Sequence, residues 1–204
     1  MQQILVGKDG LIRCQHILLE EECKKAFIVC GMSVSNHPLV KEFLQGIEEK
    51  VIFSDFKPNP DYESIMRGLE VFRESNCDCI VAIGGGSAID VAKCIKAFGA
   101  ENDASMKEIK FMAIPTTAGS GSEATKFAVM YRDGEKQSVE QEWIRPDWVF
   151  LESKLLESLP LNQKKATVLD TLCHSIESYW SVKGDENSRL YASMAIENVL
   201  KYYM

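Results

Sequence analysis

Positive charge is in short supply in this chain. Its 23 Lys and Arg are outnumbered by 30 Asp and Glu, the formal net charge is −7, and no run of basic residues offsets that balance, which argues against a nucleic-acid surface. Long apolar runs are missing too, and the N-terminus lacks a basic segment followed by an apolar one, so neither a membrane span nor a secretory leader is expected. There is no CxxC pair: Cys77 and Cys79 are separated by a single residue, too close for a zinc-type pair. The seven cysteines are odd in number and scattered, and they read as reduced thiols of a cytoplasmic protein. Histidine occurs only at His16, His37 and His174. Internal repeats and low-complexity segments are absent. What remains is an ordinary globular composition, 46% hydrophobic and 26% charged over 204 residues, enough for one ample domain and the start of another.

The chain is organised around Cys79-Ile80-Val81-Ala82-Ile83-Gly84-Gly85-Gly86-Ser87-Ala88-Ile89-Asp90-Val91-Ala92-Lys93. The uninterrupted apolar run before the glycines predicts a strand covered on both faces, as in a parallel sheet. Gly84, Gly85 and Gly86 give the backbone freedom to turn and to approach a ligand closely. Ser87 and Asp90 have the spacing of a capping box opening the helix that follows. A helix end so placed carries free N–H groups and partial positive charge, which suit a phosphate or pyrophosphate. The plain alternative is a tight strand-to-helix turn with no ligand, for which two glycines would suffice.

Around this unit, strands are predicted at 3–7, 26–30, 51–53, 110–114 and 148–151, and helices at 38–45 and 61–76, the latter with apolar spacing at Ile65, Leu69 and Phe72. Glu20-Glu21-Glu22 opens or flanks a further helix. Strand and helix in alternation imply a parallel sheet with right-handed crossovers. Ser54 to Pro60 contains two prolines and is an extended loop. A second loop, Pro115-Thr116-Thr117-Ala118-Gly119-Ser120-Gly121-Ser122-Glu123-Ala124-Thr125, follows a strand and is built of small and hydroxyl residues that could hold phosphate, ribose or amide. Asp133-Gly134 is a hairpin turn between strands at 127–131 and 137–142. The domain boundary is placed near 157, dividing an α/β domain at 1–157 from a helical segment at 158–204. A helix predicted over 163–180 carries an apolar stripe of Leu169, Leu172, Ile176 and Trp180, with Asp170, His174 and Glu177 on a neighbouring face. Asp170 and His174 can share one divalent metal, half of a four-ligand site, or form an ordinary surface pair.

Gly84-Gly85-Gly86-Ser87-x-x-Asp90-x-x-Lys93, the Pro58-Asn59-Pro60 loop, the second loop and the helix Asp170-Thr171-Leu172-Cys173-His174 together resemble the iron-containing alcohol dehydrogenase family. The resemblance implies a Rossmann-like nucleotide-binding domain followed by the start of an all-helical metal-binding domain, in the architecture shared with dehydroquinate synthase. It implies NAD(P) held by Gly31, Asn59, Gly84, Gly85, Gly86, Ser87, Asp90, Thr116, Thr117, Ser120 and Lys136, the last reaching the ribose unless it is simply solvated. It implies a divalent metal on Asp170 and His174, with iron the first choice and zinc or manganese as alternatives. Family members complete that site with two histidines from later helices, and here His16 and His37 precede the nucleotide motif. The chain therefore matches the first half or so of a family member. Many NAD-preferring members place an aspartate where Gly31 stands, and the glycine, followed by Ser33 and Ser35, leans the expectation to NADP.

The activity so implied is reversible hydride transfer between NAD(P) and a primary alcohol or aldehyde, in a homodimer. Phe127 to Tyr131 with Gly134 to Val139 is similar to phosphonoacetaldehyde reductases within the family. Two rivals stay open: a dehydroquinate synthase-like cyclase, and a nucleotide-binding module without catalysis. An apolar face at Tyr191, Ile196, Leu200 and Tyr202 would suit a helical partner.

Overall fold

A computed structural model describes residues 2–7 and 10–203. Six parallel strands form one sheet: β1 (Gln3–Val6), β2 (Ala26–Cys30), β3 (Lys50–Phe53), β4 (Cys79–Gly84), β5 (Lys110–Pro115) and β8 (Trp148–Leu151). Their spatial order is β1-β8-β5-β4-β2-β3, and β6 (Phe127–Arg132) and β7 (Glu135–Glu140) pair separately as an antiparallel hairpin. The Asp133-Gly134 turn of that hairpin has φ of 54° and 80°, the doubly positive geometry that matches strand twist.

Apart from Lys110 at the start of β5, the central strands are apolar because both sheet faces are covered. Phe27, Val29, Ile80, Ala82, Phe111 and Ala113 point into one core, with α4 (Tyr62–Ser75) and α5 (Gly86–Asn102). Their neighbours Ile28, Cys30, Val81, Ile83, Met112 and Phe150 point into the other, with α1 (Gly10–Glu20) and α3 (Pro38–Gln45). This is the two-residue period of a strand read through two separate cores. The acidic cluster at 20–22 lies at the C-terminal end of α1.

Helix α5 is the most enclosed of the longer helices. Ten of its seventeen residues are buried, since the sheet lies on one side and β6 with the turn at Ala104–Lys107 on others. Two of the ten are lysines, and both ammonium groups end on backbone carbonyls; Lys96 Nζ donates to Ile109 O at 2.6 Å. A buried charge without such partners would cost several kcal/mol.

Two compact units are distinguished, 1–116 with 121–155, and 117–120 with 156–204. The first holds the sheet. The second contains α7 (Leu161–Trp180) and α8 (Glu186–Tyr203), which pack on one another. The predicted stripe on α7 is not covered along its length: Leu169 is 60% and Trp180 77% exposed. On α8 the inward residues are Ala192 and Val199, whereas Tyr191, Leu200 and Tyr202 are exposed and Ile196 is half-buried.

Candidate functional site

In the first unit the chain leaves β2 toward β3 on one side and leaves β4 toward β5 on the other, so strand order reverses between β2 and β4. Ligands of open α/β sheets bind outside the carboxyl ends of the strands at such a reversal. Gly31 and Gly84 lie there side by side, directly after the paired Cys30 and Ile83. Gly31 precedes α2 (Met32–Ser35) in extended conformation, and nothing lies within 4 Å of where a Cβ would stand. Ser33 is exposed, and Ser35 Oγ donates to Met32 O at 2.9 Å.

The glycine turn works differently from the expectation. Gly84 closes β4, Gly85 is the N-cap of α5 at φ −77°, and Gly86 is its first residue; the left-handed glycines of the chain lie elsewhere. What Gly84 supplies is closeness, since a Cβ on it would stand 2.7 Å from Ala88 Cβ. The capping box does not form: no side chain caps α5. Ser87 instead accepts a 3.4 Å hydrogen bond from the Asn59 amide. Asp90, a full turn further in, is half-buried and accepts from Ser122 Oγ at 2.6 Å. With Gly85 at the cap, Ser87 and Asp90 sit inside the helix, past the position from which a side chain can reach back. The end facing the strand reversal is left to its backbone amides, the arrangement that accommodates an anion.

Three other segments converge on this end. Asn59 adopts φ 57° at the tip of its loop, and Pro60 O accepts from Tyr131 N at 2.8 Å, so the hairpin clamps the loop. Asp61 then caps α4 by accepting from Ser64 N at 2.7 Å. Thr116 N donates to Gly84 O at 2.9 Å, tying the exit of β5 to the turn after β4. Lys136 pairs across the hairpin with Tyr131 and is exposed, its charge among those that act on Asp90.

The residue that the motif contained without a role is Lys93. Its side chain is fully buried, and Nζ donates to Ser122 O at 2.5 Å, Thr125 O at 2.8 Å and Phe127 O at 2.7 Å. Burial pulls it down to about 8 against the opposing charges of Asp90 and Glu123. The same burial pushes the carboxyls of Asp90 and Glu123 upward. Lys93 and Asp90 thus fasten the end of the second loop onto α5 from two successive turns. The signal was present: Lys93 falls in the otherwise apolar stretch Val91 to Ala97 with Lys96, where a lysine must find carbonyls.

The remaining candidates belong to the second unit. Gly119, at φ 155°, has its Cβ position 2.4 Å from Thr167 O, so the 117–120 segment, which includes Thr117 and Ser120, lies against α7 without room for a side chain. Thr171 and Ser175 each bond back along that helix, to Thr167 O and Thr171 O. One and two turns on from Thr167 stand Asp170 and His174, whose Oδ1 and Nε2 lie 3.6 Å apart with both side chains about half exposed. Two ligands bound at about 2.1 Å stand roughly 3.0–3.4 Å apart, so the pair fits two positions of a divalent ion after a small adjustment. Among the described residues no group of three or more His, Cys, Asp or Glu converges on a common point. Glu177 is exposed and is not part of the pair. Among the same residues no helix is long and apolar enough to cross a membrane.

Comparisons with known proteins agree with this layout. A family model described as iron-containing alcohol dehydrogenase matches residues 2–153. An NAD-dependent methanol dehydrogenase of Bacillus methanolicus is 31% identical over 97% of this chain and 56% of its own length. An NADPH-dependent butanol dehydrogenase of Clostridium saccharobutylicum is 31% identical over 97% of this chain and 55% of its own length. Among solved structures, sulfoacetaldehyde reductase from Bifidobacterium kashiwanohense in complex with NAD+ superposes with a TM-score of 0.90 at 26% identity, covering 98% of this chain and 57% of that one. The chain thus spans little more than half the length of each of these three relatives.

Proposed function

We propose, because this chain belongs to the iron-containing alcohol dehydrogenase family, that it serves hydride exchange between NAD(P) and a primary alcohol or aldehyde. The observation that carries the reading is the α5 N-terminus, free of side-chain caps and set where strand order reverses. Its amides hold the pyrophosphate, Gly84 lets the turn sit close against the helix, and the clamped Asn59 loop and Thr116 border the cleft. Lys136, exposed on the hairpin, supplies a cation for the ribose. Asp170 and His174 hold the metal, iron in the first instance, with zinc or manganese as alternatives. When bound, the nicotinamide supplies the hydride and the metal a Lewis acid for the carbonyl oxygen.

Two finer readings follow. The open space at Gly31 admits a 2′-phosphate, which favours NADP; the relatives above include users of either nucleotide. A small aldehyde with an anionic tail, phosphonoacetaldehyde or its sulfonate counterpart, is supported by the hairpin sequence and by the sulfoacetaldehyde reductase neighbour. The reducing cytoplasm suits seven unpaired thiols.

The test is a fluorescence titration of the chain with NADPH and NADH, followed by turnover with small aldehydes after anaerobic loading with Fe2+. Saturable binding, tighter for NADPH, is expected. Absence of binding by both nucleotides would overturn the proposal. Phosphate release from a sugar phosphate without net NAD(P)H would replace it with the cyclase reading.

A further inference from the structure

On the sheet face opposite α5, a cavity of about 220 Å³ lies between α1, α3 and the turn that leaves β8. Leu11, Leu39 and Phe43 give it apolar walls. The polar groups that line it are chiefly acceptors. Gln15 Nε2 donates to Phe43 O at 2.8 Å, which leaves Gln15 Oε1 with no donor among the described residues; a side chain on Gly46 would collide with this amide. Glu42, exposed on α3, adds a carboxylate. Glu152 adds another and is only 8% exposed. Its Oε1 accepts from Lys154 N at 3.1 Å, the bond that a turn-opening residue makes with the amide two residues on. Among the described residues its other oxygen meets no donor and its charge no paired cation.

We propose that this cavity binds a small primary alkylammonium ion, with its charged head on Glu152 and its alkyl stem against Leu11, Leu39 and Phe43. A carboxylate withdrawn from water is costly to keep without a full set of hydrogen bonds or an ion partner, and the turn explains only one of its oxygens. An ammonium brings positive charge and three donors to a wall of acceptors. An anion would meet two carboxylates instead. A neutral apolar molecule would leave the Glu152 charge unpaired, and a bare metal ion would leave the apolar walls wet. Apolar walls with a few placed polar groups are the usual make-up of a small-molecule site.

The rival occupant is the chain's own Lys154, which lines the same cavity and is exposed. The hydrogen bond between Lys154 and Glu152 uses the lysine's backbone amide and not its ammonium, so the carboxylate stays available to a cation from solution. The cavity packs against the other face of the sheet from α5, and binding there calls for neither nucleotide nor metal.

The experiment titrates the full, isotope-labelled chain with n-butylammonium chloride, and separately with sodium butyrate, and follows the backbone amides by NMR with no nucleotide or metal added. The outcome is therefore independent of the cofactor reading. Butylammonium should give saturable shifts at Leu11, Gln15, Phe43 and Gly46 with a dissociation constant of about 1 mM, ordinary for a ligand this small, and butyrate should give none there. Glu152→Gln, which keeps an acceptor for Lys154 N, should weaken binding roughly tenfold or more. Lys154→Met should leave binding intact or tighten it. Absence of saturable shifts at these residues, equal shifts with butyrate, or unchanged affinity in Glu152→Gln would each overturn the proposal. So would binding that emerges only in Lys154→Met, which would assign the cavity to the chain's own lysine. The comparison of butylammonium with butyrate on the wild-type chain decides the matter even if a variant fails to fold.

Discussion

Replacing Lys93 by methionine keeps most of the side chain's volume and removes its charge and its three donors. Ser122 O, Thr125 O and Phe127 O then lose the group that approaches them at 2.5–2.8 Å, and Asp90 loses a compensating charge. Hydrogen bonds from a charged donor are worth about 1.5–3 kcal/mol each, offset by relief from burying an ammonium; breaking a buried charged contact by removing one partner costs about 3–5 kcal/mol. For a chain of this size that corresponds to a fall of roughly 10 °C in Tm. The pH dependence supplies a second reading. In the folded protein the amine is lowered to about 8 from the 10.5 of the unfolded chain, so between those values the unfolded state binds the proton and the native state does not. Native stability from this group therefore rises with pH across that window, by up to about 3 kcal/mol. The neutral amine still donates to two of the carbonyls. The advantage of the wild type over Lys93→Met should accordingly widen from pH 7.5 to pH 10 in guanidinium unfolding curves. A difference under about 1 kcal/mol, or one that narrows as pH rises, would refute the assignment of Lys93 as the fastener of the second loop.

Gly31→Asp should weaken NADPH binding at least tenfold relative to NADH, about 1.4 kcal/mol, by setting a carboxylate in open space beside the cleft; equal weakening of both nucleotides in a fluorescence titration would place the 2′-phosphate elsewhere. Gly119→Ala should destabilise the second unit by about 2–4 kcal/mol, because the added carbon meets Thr167 O at 2.4 Å with φ at 155°; proteolysis between residues 156 and 203 reads it out. Asp170→Asn and His174→Ala should each reduce Zn2+ affinity at least tenfold by calorimetry and leave Tm within about 2 °C, since both side chains are half exposed.

The strand and helix positions were legible because each central strand is an unbroken apolar run and each covering helix keeps its spacing. Lys110 to Ile114, Pro38 to Gln45 and the Asp133-Gly134 turn all sit where local chemistry put them. The α7 stripe gave no guide to burial, because periodicity reports which side chains share a face and not whether anything covers that face. Leu169 and Trp180 share one and stand mostly in solvent.

The harder lesson lies in the glycine motif, where spacing suggested a capping box between Ser87 and Asp90. The two are three apart, the separation that a capping box needs; whether the box forms depends on which residue the helix starts from. The chain enters α5 at Gly85, two residues earlier than a Ser87 cap requires, and Gly84 allows it because a Cβ there would stand 2.7 Å from Ala88 Cβ. That shift rotates Asp90 toward Ser122 and buries Lys93 beneath Thr125 and Phe127. The helix end consequently keeps its amides free of side chains while the two motif residues further in hold the neighbouring loop. A signature of this kind therefore records two features at once, an uncapped helix end at its glycines and a fastening at its aspartate and lysine. Alanine at Asp90 should accordingly act first on the order of residues 122–127, seen as faster amide exchange there, with any loss of nucleotide affinity following from it.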